Sequence, residues 1–480
     1  MYEVVVGVEK VRLIENALTQ SGFGWFQYKI LFFLCGIAQL GSYSAYTAGL
    51  IAGSEIGVVV WPEWIMKYIV SWLAGIFIDK FGRIVSLYSA LVLASITLTA
   101  ACFARVELYL VLRTFGCMSI GAIQVINYVI VAEVCPKKQR SRCLFFLVIM
   151  DCVGTLFGSA MMMLPLEGGW SFRIRMLLAV MPLPIALMAA VVVLRGVDSP
   201  FYLVVSGKPE AALRLLERIA IDNKNANFFK RNVNQAEFLR SLATSRAATS
   251  VQDRGTLAQV SRIPKMSLIM GLWAIQAIIY WGAMSAIPSL YRVWSQEAPS
   301  TSTTYNLEIL LLLYAFEFVG IGIAAFSSFK WGPYKTLFYF IVTGSVLLAI
   351  STLSLGLKLG WFLAACVGGL FASLTPIWGI LFVITSEMFP THCRATALGL
   401  MLSTRVAQGV LELALPKAAL EQHVTFLPMV YSSISTAFAI GGILIAKRLI
   451  PNPNTTRIRT WSNSVVITSP KVVTEEQESA

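Results

Sequence analysis

The chain has 480 residues, 57% hydrophobic and 13% charged, with a mean hydropathy of +0.72. Soluble domains carry about 25% charged residues, so this composition excludes a solvated globule and suits a polytopic membrane protein. A net charge of +13 would suit nucleic acid on a soluble chain; here it reads as excess Lys and Arg on one membrane side, and no nucleic-acid partner is expected.

Residues 1–27 are mixed and polar, show no cleavable signal peptide and are read as a cytoplasmic N-terminal segment. A membrane span needs about 20 apolar residues. The sequence holds twelve such stretches, at about 28–51, 60–78, 84–104, 107–132, 143–165, 172–194, 266–288, 306–327, 335–356, 360–386, 395–416 and 424–446. The second is weak, because Pro62, Glu63 and Lys67 crowd its outer end. The expected fold is all-α, with twelve transmembrane helices in two pseudo-symmetric six-helix halves, 28–194 and 266–446. Between them lies a polar central loop, 195–265. Its Lys208–Ala220 stretch has Leu213, Leu216 and Ile219 at helical spacing, with Pro209 suited to a first turn. An amphipathic helix is expected there, with loose chain over 223–262. The 447–480 tail is polar and Ser/Thr-rich, and disorder is expected from Pro451 onward.

Twelve spans put both termini on one side. Segments on that side carry 29 Lys and Arg, the opposite side carries 7, and Arg113 and Arg405 lie inside spans. The termini and central loop are therefore expected to be cytoplasmic, and Asn454-Thr-Thr is a chance match to a glycosylation acceptor. Of the eight cysteines, Cys35, Cys102, Cys117, Cys152 and Cys366 sit in apolar stretches. No spacing suggests disulfides or zinc, so they read as buried thiols.

One pattern occurs twice. Glu133-Val-Cys-Pro136 is followed by Arg140, and Glu387-Met-Phe-Pro390 by Arg394, the second copy starting 254 residues after the first. Each closes a long apolar stretch, as expected of a duplicated half with a charged elbow at the end of the same helix. Gly75-Ile-Phe-Ile-Asp79-Lys80-Phe-Gly82-Arg83 lies between the second and third spans. Gly75 allows close helix approach and Gly82 a turn with positive φ. Asp79 can pair with a nearby Arg or cap a helix N-terminus.

These residues resemble the major facilitator superfamily. The Asp79–Arg83 segment is similar to that superfamily's loop between the second and third helices. Arg113-Thr-Phe-Gly116, Gly121, Glu133–Pro136 and Arg140 to Arg142 are similar to its fourth helix and exit in the sugar-porter style. Ser171-Phe-Arg173 resembles the opening of the sixth helix. Asp198-Ser199-Pro200, with Gly207-Lys-Pro-Glu-Ala after it, resembles the run that follows that helix. Tyr280-Trp281-Gly282 resembles an aromatic-aromatic-Gly run in the seventh helix. The resemblance covers about residues 20–450 and points to the branch of synaptic vesicle glycoproteins and their organic-ion and sugar-porter neighbours. There are departures. The first-helix stretch Gln39–Tyr46 has no acid where this branch usually carries one, with Ser42 and Ala45 in it. Phe329-Lys330-Trp331-Gly332-Pro333, the second-half counterpart of Asp79–Arg83, lacks the acid and the last Arg. Phe201 replaces an Arg, and the loop 289–305 is short.

The resemblance implies a cytoplasmic gate or latch built from Gly75, Asp79, Lys80, Gly82, Arg83, Glu133, Arg140, Arg142, Glu387 and Arg394. It implies a substrate cavity lined by Gln39, Tyr43, Arg113, Gln124, Asn127, Gln276, Tyr280, Trp281 and Trp378. Charges inside spans face the bundle interior or carry function: Arg113, Asp151, Glu317, Arg405 and Glu412. Glu317 is a candidate to replace the missing first-helix acids, the other reading for each of these charges being a buried pair or a snorkelling side chain.

An enzyme fits poorly. The two histidines, His392 and His423, lie near helix ends, and no phosphate loop, metal cluster or nucleophile arrangement is visible. No cofactor and no metal are expected. The expected function is transport of a small organic solute, an organic ion or sugar-like, by alternating access in a plasma or intracellular vesicle membrane. The alternative is a vesicle-associated receptor or scaffold that keeps the transporter fold without transport.

Overall fold

The computed structural model describes residues 2–37, 61–167, 177, 180–194, 198–233, 235–243, 266–295, 303–356, 360–389, 393–406, 440–445 and 449. These residues form helices and connections, with no strand among them. Helix α1 spans Tyr2–Ser21 and α2 Trp25–Ile37. Then come α3 (Trp61–Phe81), α4 (Arg83–Ala101), α5 (Val106–Val134), α6 (Lys137–Glu167) and α7 (Pro182–Val193). The short helices α8 (Pro200–Val205), α9 (Pro209–Asp222), α10 (Ala226–Asn232) and α11 (Gln235–Ala243) follow. The second half holds α12 (Met266–Ser295), α13 (Thr303–Trp331), α14 (Pro333–Gly356), α15 (Gly360–Met388) and α16 (Arg394–Ser403).

The long helices present apolar side chains outward. Phe32, Ile96, Met188 and Phe326 are all well over half exposed, which suits hydrocarbon surroundings and would be costly in water. Among the described residues, four helices are long and apolar enough to cross a membrane. The duplication is visible in the backbone. Gly82 (φ 98°) joins α3 to α4, and Gly332 (φ 84°) joins α13 to α14. Only glycine adopts this conformation without strain.

Close helix approach is also built from glycine. A methyl group at Gly75 would collide with the Ala395 carbonyl, and one at Gly399 with the Ser71 carbonyl. The chain halves therefore meet backbone to backbone along the α3–α16 seam. At the α13–α15 crossing, Pro376 lacks the N–H that would bond the Ala372 carbonyl. Gly320 packs against that freed oxygen.

The polar connection holds more order than its composition suggests. Helix α9 buries Leu213, Leu216 and Ile219, but chain expected to be loose after 223 forms α10 and α11. Two asparagine amides and two buried rings account for this. Asn223 accepts the Phe26 N–H at 3.0 Å and donates to Gly22 O at 2.9 Å. Asn225 donates to Gln20 O at 2.7 Å, while Phe229 and Phe238 are buried. Together they tie α9 to α11 against the end of α1 and the start of α2. Helix α1 was not expected either. Its Ile14, Ala17, Leu18 and Ser21 form one buried stripe, and Ser21 Oγ donates to Leu216 O at 3.2 Å.

Candidate functional site

Charged side chains cluster at the end of the bundle where the repeated elbows lie, the elbow end. Arg83 opens α4 and is 2% exposed. It grips Glu133 bidentately, Nε to Oε2 at 2.8 Å and Nη2 to Oε1 at 2.9 Å. Its planar fork suits a carboxylate in this way. Nη2 also approaches Asp79 Oδ1 at 3.5 Å, and the Tyr202 ring covers the guanidinium at 4.9 Å. Asp79 plays both of its expected parts. Its Oδ2 accepts the Thr396 backbone N–H at 2.9 Å and the Thr396 hydroxyl at 2.8 Å. A carboxylate of α3 thus caps the N-terminus of α16 in the other half, where the helix dipole favours negative charge.

Glu133 is fully buried and also faces Arg394 Nη1 at 3.8 Å. Arg140 reaches Glu15 of α1 at 3.5 Å, a partner the sequence did not suggest. Ser141 Oγ donates to Glu387 Oε1 at 2.6 Å, from α6 to α15. Arg142 lies over the Phe329 ring at 5.4 Å, so the degraded second-half motif contributes an aromatic face in place of its acid. Lys80 is exposed and stays outside the cluster, its Nζ 5.5 Å from the Phe81 ring. Asp198, beside the Gly82 turn, accepts the Ser199 N–H at 2.8 Å. Burial raises its pKa despite that bond and the nearby Arg83 charge.

Deeper in the bundle lies an aromatic and polar cluster. Phe371, Trp378 and Phe382 share one face of α15, at spacings of seven and four. Trp273 and Tyr280, seven apart on α12, meet that face at ring distances of 5.4 Å (Trp273–Trp378) and 5.7 Å (Tyr280–Phe371). From the first half, Tyr128 stacks on Phe382 at 3.8 Å with an interplanar angle of 1°. Tyr280 Oη donates to Glu317 at 2.7 Å, and Gln276 donates to Leu374 O at 2.6 Å. Gln124 donates to Asp151 at 3.4 Å. Asn127 turns to the Leu34 carbonyl of α2 at 3.5 Å.

Arg113 is buried and donates to Tyr109 Oη at 3.1 Å. It lies about 16 Å along α5 from Gln124, so the structure does not bring it into this cluster. Gln39, Tyr43, Glu412, Pro390, both histidines and the tail lie outside the described residues, as does the side chain of Trp281.

Sequence reasoning missed Lys67, Tyr68, Trp273 and Phe382. The first was read as crowding an outer helix end, yet Gly121 of α5 packs on its stem. The aromatic spacings of seven and four were the signal for Trp273 and Phe382. Arg405, in the turn after α16, has its guanidinium 4.1 Å from the Trp378 ring and 4.7 Å from the Tyr68 ring.

The profile of the Sugar (and other) transporter family matches residues 23–447. A synaptic vesicle 2-related protein of Xenopus laevis is 24% identical over 467 residues, covering 90% of this chain and 80% of that protein. Its Bos taurus counterpart is 24% identical over 470 residues, with the same coverage. Among solved structures, the chain resembles a major facilitator superfamily proton:xylose symporter bound to 6-bromo-6-deoxy-D-glucose. The TM-score is 0.70 at 18% identity, over 89% of this chain and 96% of that one. The E. coli fucose:proton symporter gives 0.55 at 13% identity, over 87% and 98%. These likenesses give the fold: twelve transmembrane helices in two pseudo-symmetric halves, an integral membrane protein whose family and structural neighbours are transporters and not enzymes. With the family profile matching from α1's C-terminal connection through nearly the whole bundle, the chain belongs to the sugar (and other) transporter family.

Proposed function

We propose that this protein carries a small organic solute across its membrane by alternating access, the elbow-end charges acting as the latch that holds one end shut. The observation that carries this reading is the Asp79–Thr396 cap. It joins the two halves through a motif residue, beside the shared Glu133–Arg394 contact, at the place where rocking halves must separate. Gly75, Gly82, Arg83, Arg140, Arg142 and Glu387 complete the latch. The deeper aromatic cluster is the floor of the solute site. The test is uptake of a panel of labelled sugars, organic anions and organic cations by the purified protein in liposomes. Saturable uptake of any panel member supports transport; none, with correctly folded protein, points to the receptor or scaffold alternative.

The elbow end faces the cytoplasm in this reading, because Lys and Arg concentrate there. The membrane is the plasma membrane or an intracellular vesicle membrane. A reporter fused to the C-terminus is expected to be shielded from external reagents in intact cells. Labelling from outside would overturn the orientation.

Coupling is expected to be weak. Ser42 and Ala45 stand in the first helix where an acid would change charge, and neither can titrate. Net uptake is expected to run downhill and ignore a proton uncoupler. Accumulation that collapses with uncoupler would contradict this. In that case Glu317→Gln, which removes the carboxylate bonded to Tyr280, would be expected to abolish it.

A further inference from the structure

Two buried donors in the deep cluster have no acceptor among the described residues. Among the described residues, neither Arg405 Nε nor Trp378 Nε1 has a hydrogen-bond partner, and the two groups touch, with the guanidinium 4.1 Å from the Trp378 ring. A buried donor left unmade is costly, and native structures seldom keep one without a reason. The location is equally unusual. Arg405 and Tyr68 lie eleven residues from Arg394 and Asp79 in sequence. At about 1.5 Å per residue, that puts them about 16 Å from the elbow end, near the middle of a hydrocarbon layer about 30 Å thick. A cation held there marks a ligand path.

The charges around it point to one sign of ligand. Glu317 already accepts the Tyr280 hydroxyl, and Asp151 already accepts from Gln124. Lys67 lies close enough for its ammonium to feel both Arg405 and Asp151. Both acids thus carry hydrogen bonds, while the guanidinium is packed against ring faces from the two halves. Rings hold a guanidinium by cation–π attraction but satisfy none of its N–H groups.

We infer that Arg405 and Trp378 form an oxyanion subsite, and that the transported solute is a small organic anion with a flat apolar body. The inference rests on the transporter reading above. Arg405 donates to the oxyanion through its guanidinium, and Trp378 donates through its indole N–H. The rings of Tyr128, Trp273 and Phe382 receive the apolar body. Because Tyr68 belongs to the first half and Trp378 to the second, the bound anion touches both rocking halves. A neutral sugar would leave the charge at Arg405 uncompensated.

The test uses purified full-length protein with benzenesulfonate, benzoate and phenylphosphonate as anions. Benzenesulfonamide is the neutral match and phenyltrimethylammonium the cation. Binding is read by ligand-induced thermal stabilisation and tryptophan fluorescence, and flux by labelled benzenesulfonate in liposomes. The expected result is binding of at least one anion in preference to the neutral and cationic matches. Arg405→Gln is expected to weaken it about 10- to 100-fold, the loss of one charge-assisted contact. Arg405→Lys, which keeps the charge, should retain the anion preference and covers the case in which the Gln variant does not fold. No anion binding, equal binding of sulfonate and sulfonamide, or an affinity unchanged in Arg405→Gln overturns the inference. Uptake of a sugar or cation that the anions do not compete with overturns it while leaving transport standing. Arg405-dependent anion binding without flux of any panel solute sustains the subsite and removes the transporter reading.

Discussion

In the Glu133→Gln protein, the Cys393 thiol is expected to react with a maleimide at least about tenfold faster than in the wild type. Glu133 is fully buried and receives two bonds from Arg83 and the approach of Arg394. Removing its charge leaves the buried Arg83 and Arg394 without the carboxylate they share. Deleting one partner of a buried ion pair costs about 3–5 kcal/mol. An elbow end that opens lets both guanidinium groups hydrate and escapes much of that cost. The closed form therefore loses against the open one, and about 1.4 kcal/mol suffices for a tenfold shift. Cys393 directly precedes Arg394 and is fully buried, which makes it a native reporter of that opening. Cys102, buried at the far end of α4, distinguishes opening from unfolding. It should stay protected. Unchanged Cys393 reactivity in folded protein would contradict the latch, and Asp79→Asn and Arg394→Ala should shift the same readout in the same direction.

Gly399→Val is expected to abolish solute flux and expose Cys393 while both halves remain folded. The added Cβ would collide with the Ser71 backbone carbonyl, and no rotamer change relieves a clash with backbone. Overpacking costs about 1–3 kcal/mol even where side chains give way. Here the cheapest relief is separation of α3 from α16, which is also the opening motion. Gly322→Ala is the contrast. It is helical, with nothing near its added methyl, so a gain of about 0.5–1 kcal/mol is expected. Normal flux and a protected Cys393 in Gly399→Val would show that the seam does not need this close approach.

The elbow-end cluster was legible because its residues recur at fixed spacing. Glu133 with Arg140 and Glu387 with Arg394 advertise a duplicated elbow, and Asp79 lies where a turn forced by Gly82 brings α3 back. The choice of partners was not legible. Which helix N-terminus Asp79 caps depends on contact across 317 residues of chain, and helical periodicity carries no information at that range. The same limit hid the Arg140–Glu15 contact and the placement of Arg405 between rings of two halves. Lys67 misled because a cation in an apolar stretch reads as a helix end, whereas its stem packs on Gly121. Helices α10 and α11 were missed because a few groups, the hydrogen-bonded Asn223 and Asn225 and the buried Phe229, order a segment whose average composition is polar. Asn127 shares α5 with Gln124 at a spacing of three, yet one bonds α2 and the other α6.

In the proposed transport cycle the elbow end must open for solute to pass. A covalent staple tests it directly. Ser141 and Glu387 touch across the two halves at 2.6 Å, so in Ser141→Cys with Glu387→Cys a short bifunctional methanethiosulfonate can bridge the two thiols across the space left by the longer glutamate. The solute is whichever panel member the wild type carries fastest. Flux is expected to fall to the liposome background when the staple forms and to return when dithiothreitol breaks it. Undiminished flux with the linked peptide present in full would contradict the account.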